Sequence, residues 1–376
     1  MAGTEFHVSE APLIVAAART PVGTAGHALA GVDAASLAAP VLARLAGEVP
    51  PDEVVLGNCT GPGGDVARVA TLAAGLPYSV PALTVDRQCG SGLAAIEVAA
   101  ALVRSTGCSV LAGGVESAST APWRFWPPTG DAPPVRYERA PFAPTDVGDP
   151  EMGLAADLLA QEHGVTREAQ DAYAARSHVR AWTAQQAGTF RDEIVPVGRF
   201  VTDERPRAGV TAARLARLRP TFRPEGTVTA GNACGINDGA AAVAVVPGDS
   251  DLPGLRILAT ASSGVDPNRP GLGIVPAVRT ALDRAGLRLD DLDVVELNEA
   301  FAGQVLACCA ALDLDPERVC PEGGALALGH PWGASGAILA VRLFSQLMRP
   351  AGGRYGLAAI AVGGGQGVAM VVESCR

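Results

Sequence analysis

The sequence predicts an α/β fold assembled from two copies of one unit, with a segment of different character between them. Three observations carry this. Short apolar runs alternate with Ala-rich stretches of helical period in the first third, and the last third repeats that rhythm. In both thirds, a strand leading to an asparagine is followed some thirty residues later by a polar residue that opens a Gly-rich turn and a helix.

In the first third, residues 13–18, 54–56 and 110–112 read as strands and 37–45 and 93–103 as helices, the rhythm of a parallel layer. In the last third, 275–285, the stretch after Ala300 and 335–347 read as helices, and 294–297 and 357–362 as strands. Residues 53–56 lead to Asn58, and Cys89 opens CGSGLAAIEVAAALV 31 residues on; residues 293–297 lead to Asn298, and His330 opens a comparable turn and helix 32 residues on. A duplication would place Cys89 and His330 at equivalent helix starts, facing each other across a pseudo-twofold axis. Between the copies, a Pro-rich, aromatic stretch (APWRFWPPTGDAPP) turns helical at 155–163 and 167–186, and seven arginines fall between Arg199 and Arg223. This segment reads as an insertion over the core. Its arginines suit either a solvated surface or the phosphates of a nucleotide-tailed ligand. The expected boundaries are 1–117 with 235–258 for the first half, 118–234 for the inserted loop domain and 259–376 for the second half.

Composition removes several function classes. The chain has 376 residues and a net charge of −10, which disfavours nucleic-acid binding. Every basic residue is arginine, so no lysine can form a Schiff base or grip a nucleotide in a P-loop. No apolar run reaches the roughly 20 residues of a membrane span. MAGTEFHVSE does not read as a leader, and Glu373-Ser374-Cys375-Arg376 is no common sorting address, so a cytoplasmic location is expected. The eight cysteines form no CxxC pair and no HExxH is present, so neither disulfides nor a metal site are expected. GGGQG at 363–367 lacks the GxGxxG spacing of a dinucleotide loop.

Two residues stand out chemically. Cys89 opens a helix, where orphan amides and the helix dipole favour a thiolate, so it is a candidate nucleophile. The other seven cysteines read as small buried hydrophobes. Of five histidines, His7, His27, His163 and His178 read as solvated, whereas His330 sits in GGALALGHPWGASG, whose glycines allow close approach of a ligand.

Together these pieces resemble the thiolases, the acetyl-CoA acetyltransferase and 3-ketoacyl-CoA thiolase family, over almost the whole chain. The motifs are DRQCGSGLAAIEVAA, GGVES, FRDEIVPV, VTAGNACGINDGAA, LNEAFAGQ, GGALALGHPWGASG and GGGQG. The resemblance implies a five-layered αβαβα sandwich with an inserted loop domain, working on coenzyme A or carrier-protein thioesters as a homodimer or homotetramer, with no permanently bound cofactor. It implies that Cys89 accepts the acyl group, that His330 activates it, and that Asn298 positions a water in an oxyanion site. The amides of Cys89 and Gly363 would form a second oxyanion hole. Phe222, Ala230, Ala233, Cys234 and Phe301 would line the pantetheine channel, and Met152 would cover the pocket.

One position departs from the family pattern. Where thiolases carry a second cysteine that removes the α-proton of the second acyl group, this chain has Ala361, and a methyl group cannot move a proton. Glu151, Cys234, Glu322 and Pro270 are further departures around the same pocket. The leading reading is therefore formation or cleavage of a β-ketoacyl thioester through acyl-Cys89, with the proton handled by His330, a water, Glu151 or Cys234. The alternatives are decarboxylative condensation, acyl transfer to a non-carbon nucleophile, and a non-catalytic thioester-binding or scaffold role.

Overall fold

The structure, a computed structural model, describes residues 11–376, so the N-terminal stretch and His7 lie outside the described residues. The first unit runs β1 (Leu13–Arg19), β2 (Gly23–Thr24), α1 (Ala34–Glu48), β3 (Glu53–Gly57), α2 (Val66–Ala73), β4 (Ala82–Val85), α3 (Ser91–Thr106) and β5 (Val110–Ser117). An excursion then carries β6 (Arg124–Trp126), β7 (Val135–Tyr137), α4 (Met152–Glu162), α5 (Arg167–Gln186) and α6 (Ala212–Leu215). The chain returns with β8 (Asn237–Val246), which completes the first unit. The second unit runs β9 (Gly254–Gly264), α7 (Ile274–Ala285), β10 (Val294–Leu297), α8 (Ala302–Leu312), α9 (Ala325–Leu328), α10 (Trp332–Leu347), β11 (Tyr355–Val362) and β12 (Gln366–Cys375).

The duplication is visible in the sheet order. Outward from the centre, one side reads β1-β8-β5-β3-β4 and the other β9-β12-β11-β10, with Val319 bridging Val295 where β4 pairs with β3 in the first unit. Among the described residues the strands of the two sides pair where Leu13 and Ile14 of β1 face Arg256 and Leu255 of β9. Three apolar clusters separate the layers. One packs α1 and α2 on the first side, one buries α3 and α10 between the sides, and one packs α7 and α8 on the second. These are the five layers αβαβα.

The expected parallel layer is corrected. Only β3–β4, β3–β5 and β10–β11 are parallel; β1, β8, β9 and β12 pair antiparallel with their neighbours. The turn 363–365 between β11 and β12 is too short for a crossover, so those strands must run antiparallel. Helices cover both faces nonetheless, and β8 is buried along its whole length, which removes the alternation that would mark an antiparallel strand.

The close approach of α3 to α10 sets the site. A β-carbon on Gly92 would come within 2.8 Å of the backbone of Gly333 and Ala337, so only glycine lets the two helices meet there. A buried ion network holds the excursion to this core. The Arg19 guanidinium bonds Asp203 at 2.7 and 2.8 Å and Glu193 at 2.8 Å, and Glu193 also pairs with Arg342 of α10. Buried charges are tolerated when they are this fully paired.

His178 is a second correction. His27 and His163 are exposed as expected, but α5 buries His178 to 7% exposure. Burial first, and then the charges of Arg205 and Arg207, lower its pKa to about 4. The sequence shows a polar helix face there; the neighbouring loop of the excursion covers it.

Candidate active site

Cys89 lies in a tight turn between β4 and α3. Gln88 adopts a positive φ of 45°, the Gly90 and Ser91 amides donate to the carbonyls of Arg87 and Gln88 at 2.9 Å, and α3 starts at Ser91. Burial first, and then neighbouring Cys234, push the Cys89 thiol up to about 12. Its own amide and that of Gly363 donate to the sulfur and pull the other way. The resting residue is a neutral thiol.

His330 is set by backbone and side chain alike. Its N–H donates to Asn237 Oδ1 at 2.9 Å, while Asn237 Nδ2 donates to the carbonyl of Gly23 at 2.9 Å. Its Nδ1 lies 2.6 Å from Ser335 Oγ, one turn into α10. Glu116 of β5 accepts the Gly333 amide at 3.1 Å, pinning the start of α10 to the first unit. Burial lowers the His330 pKa to about 4, so the imidazole is neutral at ordinary pH. A neutral imidazole can take a proton that a neutral thiol must lose.

Both residues line one cavity of about 130 Å³. Of the other predicted site residues, Met152, Cys234, Phe301, Ala361 and Gly363 are on its wall. Phe222 is one layer behind: its ring meets Phe301 edge-on at 6.4 Å and packs on Gly153, where a β-carbon would lie 2.2 Å from the ring. Ala233 pairs with Phe301, while Ala230 is exposed. Asn298 is buried just after β10 and lines a small separate void with Ser335, not the Cys89 cavity. Glu151, considered above as a proton carrier, is exposed and caps α4, accepting the amides of Gly153 and Leu154 at 3.1 Å. Glu322 pairs with Arg342 and Arg349, away from the cavity wall.

The sequence reading missed part of the wall. Beside the expected Met152, Ala155, Ala156 and Leu159 complete one face of α4 on the cavity, at an i, i+3, i+4, i+7 spacing the sequence displays. Gln304 and Trp332 also line it, with no comparable signal.

The arrangement fits acyl transfer through a thioester on Cys89. The N-terminal thiolase domain matches residues 13–249 and the C-terminal thiolase domain residues 253–374. The chain belongs to the thiolase family. It is therefore an enzyme, an acyltransferase of the thiolase type. An acetyl-CoA acetyltransferase of Pseudomonas aeruginosa is 44% identical over 96% of this chain and 98% of its own length. A beta-ketoadipyl-CoA thiolase of the same species is 44% identical over 97% and 100%. The crystal structure of the Bacillus anthracis acetyl-CoA acetyltransferase superposes with a TM-score of 0.89 at 39% identity, covering 98% of this thiolase and all of that chain. Among the described residues there is no group of three His, Cys, Asp or Glu side chains that could hold a metal ion, and no helix long and apolar enough to cross a membrane.

Proposed function

We propose that this thiolase forms or cleaves a short β-ketoacyl-coenzyme A thioester through an acyl group carried on Cys89. The observation that carries the reading is the single cavity shared by the Cys89 thiol, the His330 imidazole and the Gly363 turn. In this mechanism His330 takes the Cys89 proton as sulfur attacks the thioester carbonyl. The Cys89 and Gly363 amides hold the oxyanion, an arrangement worth about 3 to 4 kcal/mol per donor at the transition state. Asn298 shares its void with Ser335, the residue that holds the His330 ring, and so acts on His330 indirectly. Met152, Phe301 and Cys234 border the acyl and pantetheine end, with Phe222, Ala230 and Ala233 further along the excursion. The cavity volume favours short acyl chains.

The names of the relatives support acyl transfer between coenzyme A thioesters. They lend nothing to decarboxylative condensation, transfer to a non-carbon nucleophile or a scaffold role. Coenzyme A enters as substrate and not as a resident cofactor, and the enzyme works in the cytoplasm. A homodimer or homotetramer is the assembly expected. Exposed Trp123, Phe125 and Trp126, with Leu83 on edge strand β4, offer the apolar surface such an assembly would cover.

Intact-protein mass spectrometry after mixing with acetyl-CoA tests this. An acetyl adduct mapped to Cys89, absent in Cys89→Ala, is expected together with thiolysis of acetoacetyl-CoA. Turnover that survives Cys89→Ala sinks the proposal.

A further inference from the structure

Making or breaking the carbon–carbon bond of a β-ketoacyl thioester requires proton transfer at the carbon beside the thioester carbonyl, from a group within hydrogen-bond reach. Among the side chains on the cavity wall only Cys89, His330 and Cys234 carry a group that can give or take a proton. Cys89 is blocked by the acyl group during that step, and His330 holds the proton Cys89 gave up. Cys234 is left.

Its surroundings suit the task. The Cys234 amide donates to the carbonyl of Ala300 at 2.9 Å, and Ala233 pairs with Phe301, so backbone pairing holds the thiol on the wall. Arg205 stands over the next residue: a β-carbon on Gly235 would lie 2.3 Å from its Nη1. Its buried Nε has no hydrogen-bond partner among the described residues. Burial raises the Cys234 thiol to about 12 and the Arg205 charge opposes that rise. A cation beside a thiol is a recurrent means of making it reactive.

We propose that Cys234 is the acid–base catalyst of the carbon–carbon step and that Arg205 is the residue that positions and charges it. This rests on the acyl-Cys89 reading above. In the first half-reaction Cys89 gives its proton to His330, the thioester C–S bond breaks, and the departing coenzyme A thiolate takes the proton of Cys234. The Cys234 thiolate then removes the α-proton of a second acyl thioester. The carbanion attacks the acyl carbon on Cys89, a C–C bond forms, the Cys89 C–S bond breaks, and His330 returns the proton to Cys89. Every proton is accounted for, and no oxidant or metal enters.

The test follows two signals in one sample of the full chain with acetyl-CoA in D2O: the acetyl adduct on Cys89 by mass, and deuterium uptake at the acetyl methyl by NMR. In Cys234→Ala and in the size-preserving Cys234→Ser, uptake is expected to fall about 100-fold or more, while the adduct forms more slowly but to completion, since coenzyme A can depart as its thiolate. In Arg205→Met the pH dependence of uptake moves to higher pH, a change that mere loosening of the loop does not produce. Uptake within about threefold of wild type in both Cys234 variants overturns the role. Wild-type protein that forms the adduct but shows no uptake also overturns it while leaving acyl-Cys89 intact. Absence of any adduct overturns the underlying reading, and this role with it.

Discussion

His330 Nδ1 and Ser335 Oγ lie 2.6 Å apart, joining the turn before α10 to the first turn of that helix. The contact occupies one ring nitrogen and leaves the other, Nε2, for the proton transfer proposed above. Removing the hydroxyl frees the ring to rotate. In Ser335→Ala, acylation of Cys89 by acetyl-CoA is expected to slow about tenfold, the equivalent of one net hydrogen bond. Ser335→Thr, which keeps the hydroxyl, is expected to recover most of the rate. Stopped-flow release of coenzyme A measures both, and an unchanged rate in the alanine variant removes Ser335 from the mechanism.

The pH dependence of acylation follows from the two burial-driven shifts. The His330 base form is lost only as pH falls through about 4, and the Cys89 thiol stays protonated up to about 12. Between those limits the pair is a neutral imidazole and a neutral thiol. The initial rate of coenzyme A release is therefore expected to be flat from about pH 6 to about pH 10 and to fall below about pH 5. A limb centred near 6.5, the ordinary histidine value, would show that the imidazole is solvated when it works.

What the sequence disclosed follows from how local each signal was. Cys89 and His330 could be found because each stands in a Gly-rich turn just before a helix that follows a matching strand, and the repeat made their meeting in space readable. The antiparallel strands β8 and β12 could not, because both faces are covered and their residues show no alternation. Ser335 and Asn237 were equally hidden: nothing local marks a serine one turn past a histidine, or an asparagine 93 residues before it, as the groups that hold its ring and its amide. His178 misled for the same reason, since the arginines beside it arrive from a distant loop.

Ala361 stands on the cavity wall next to Val362 and Gly363, at the end of β11. Placing a thiol there adds a proton carrier without disturbing the strand register, in which Ala361 faces Gly367. Ala361→Cys is expected to raise acetoacetyl-CoA thiolysis, and in a Cys234→Ala background to restore it by about 100-fold, the usual contribution of one positioned acid–base group. Steady-state assays of the single and double variants decide it. No gain in either background would mean that the proton is moved from a direction this wall does not reach.

His178 links the fold to acid stability. An unfolded chain protonates this histidine near its ordinary value of 6.5, whereas the folded chain holds it neutral down to about 4. Below pH 6.5 the unfolded state therefore binds the extra proton, and stability falls as pH drops through that window. Over the whole window the loss amounts to about 3 kcal/mol. His330 adds a loss of the same sign, since burial lowers it in the same way. Replacing His178 by glutamine, which does not titrate, is expected to remove its share of the slope and leave that of His330. Urea unfolding of wild type and His178→Gln at about pH 7.5 and about pH 4.5 measures this: the variant should lose less stability between the two conditions. Equal losses in the two proteins would place the proton uptake on other groups and show that His178 is solvated in the folded chain.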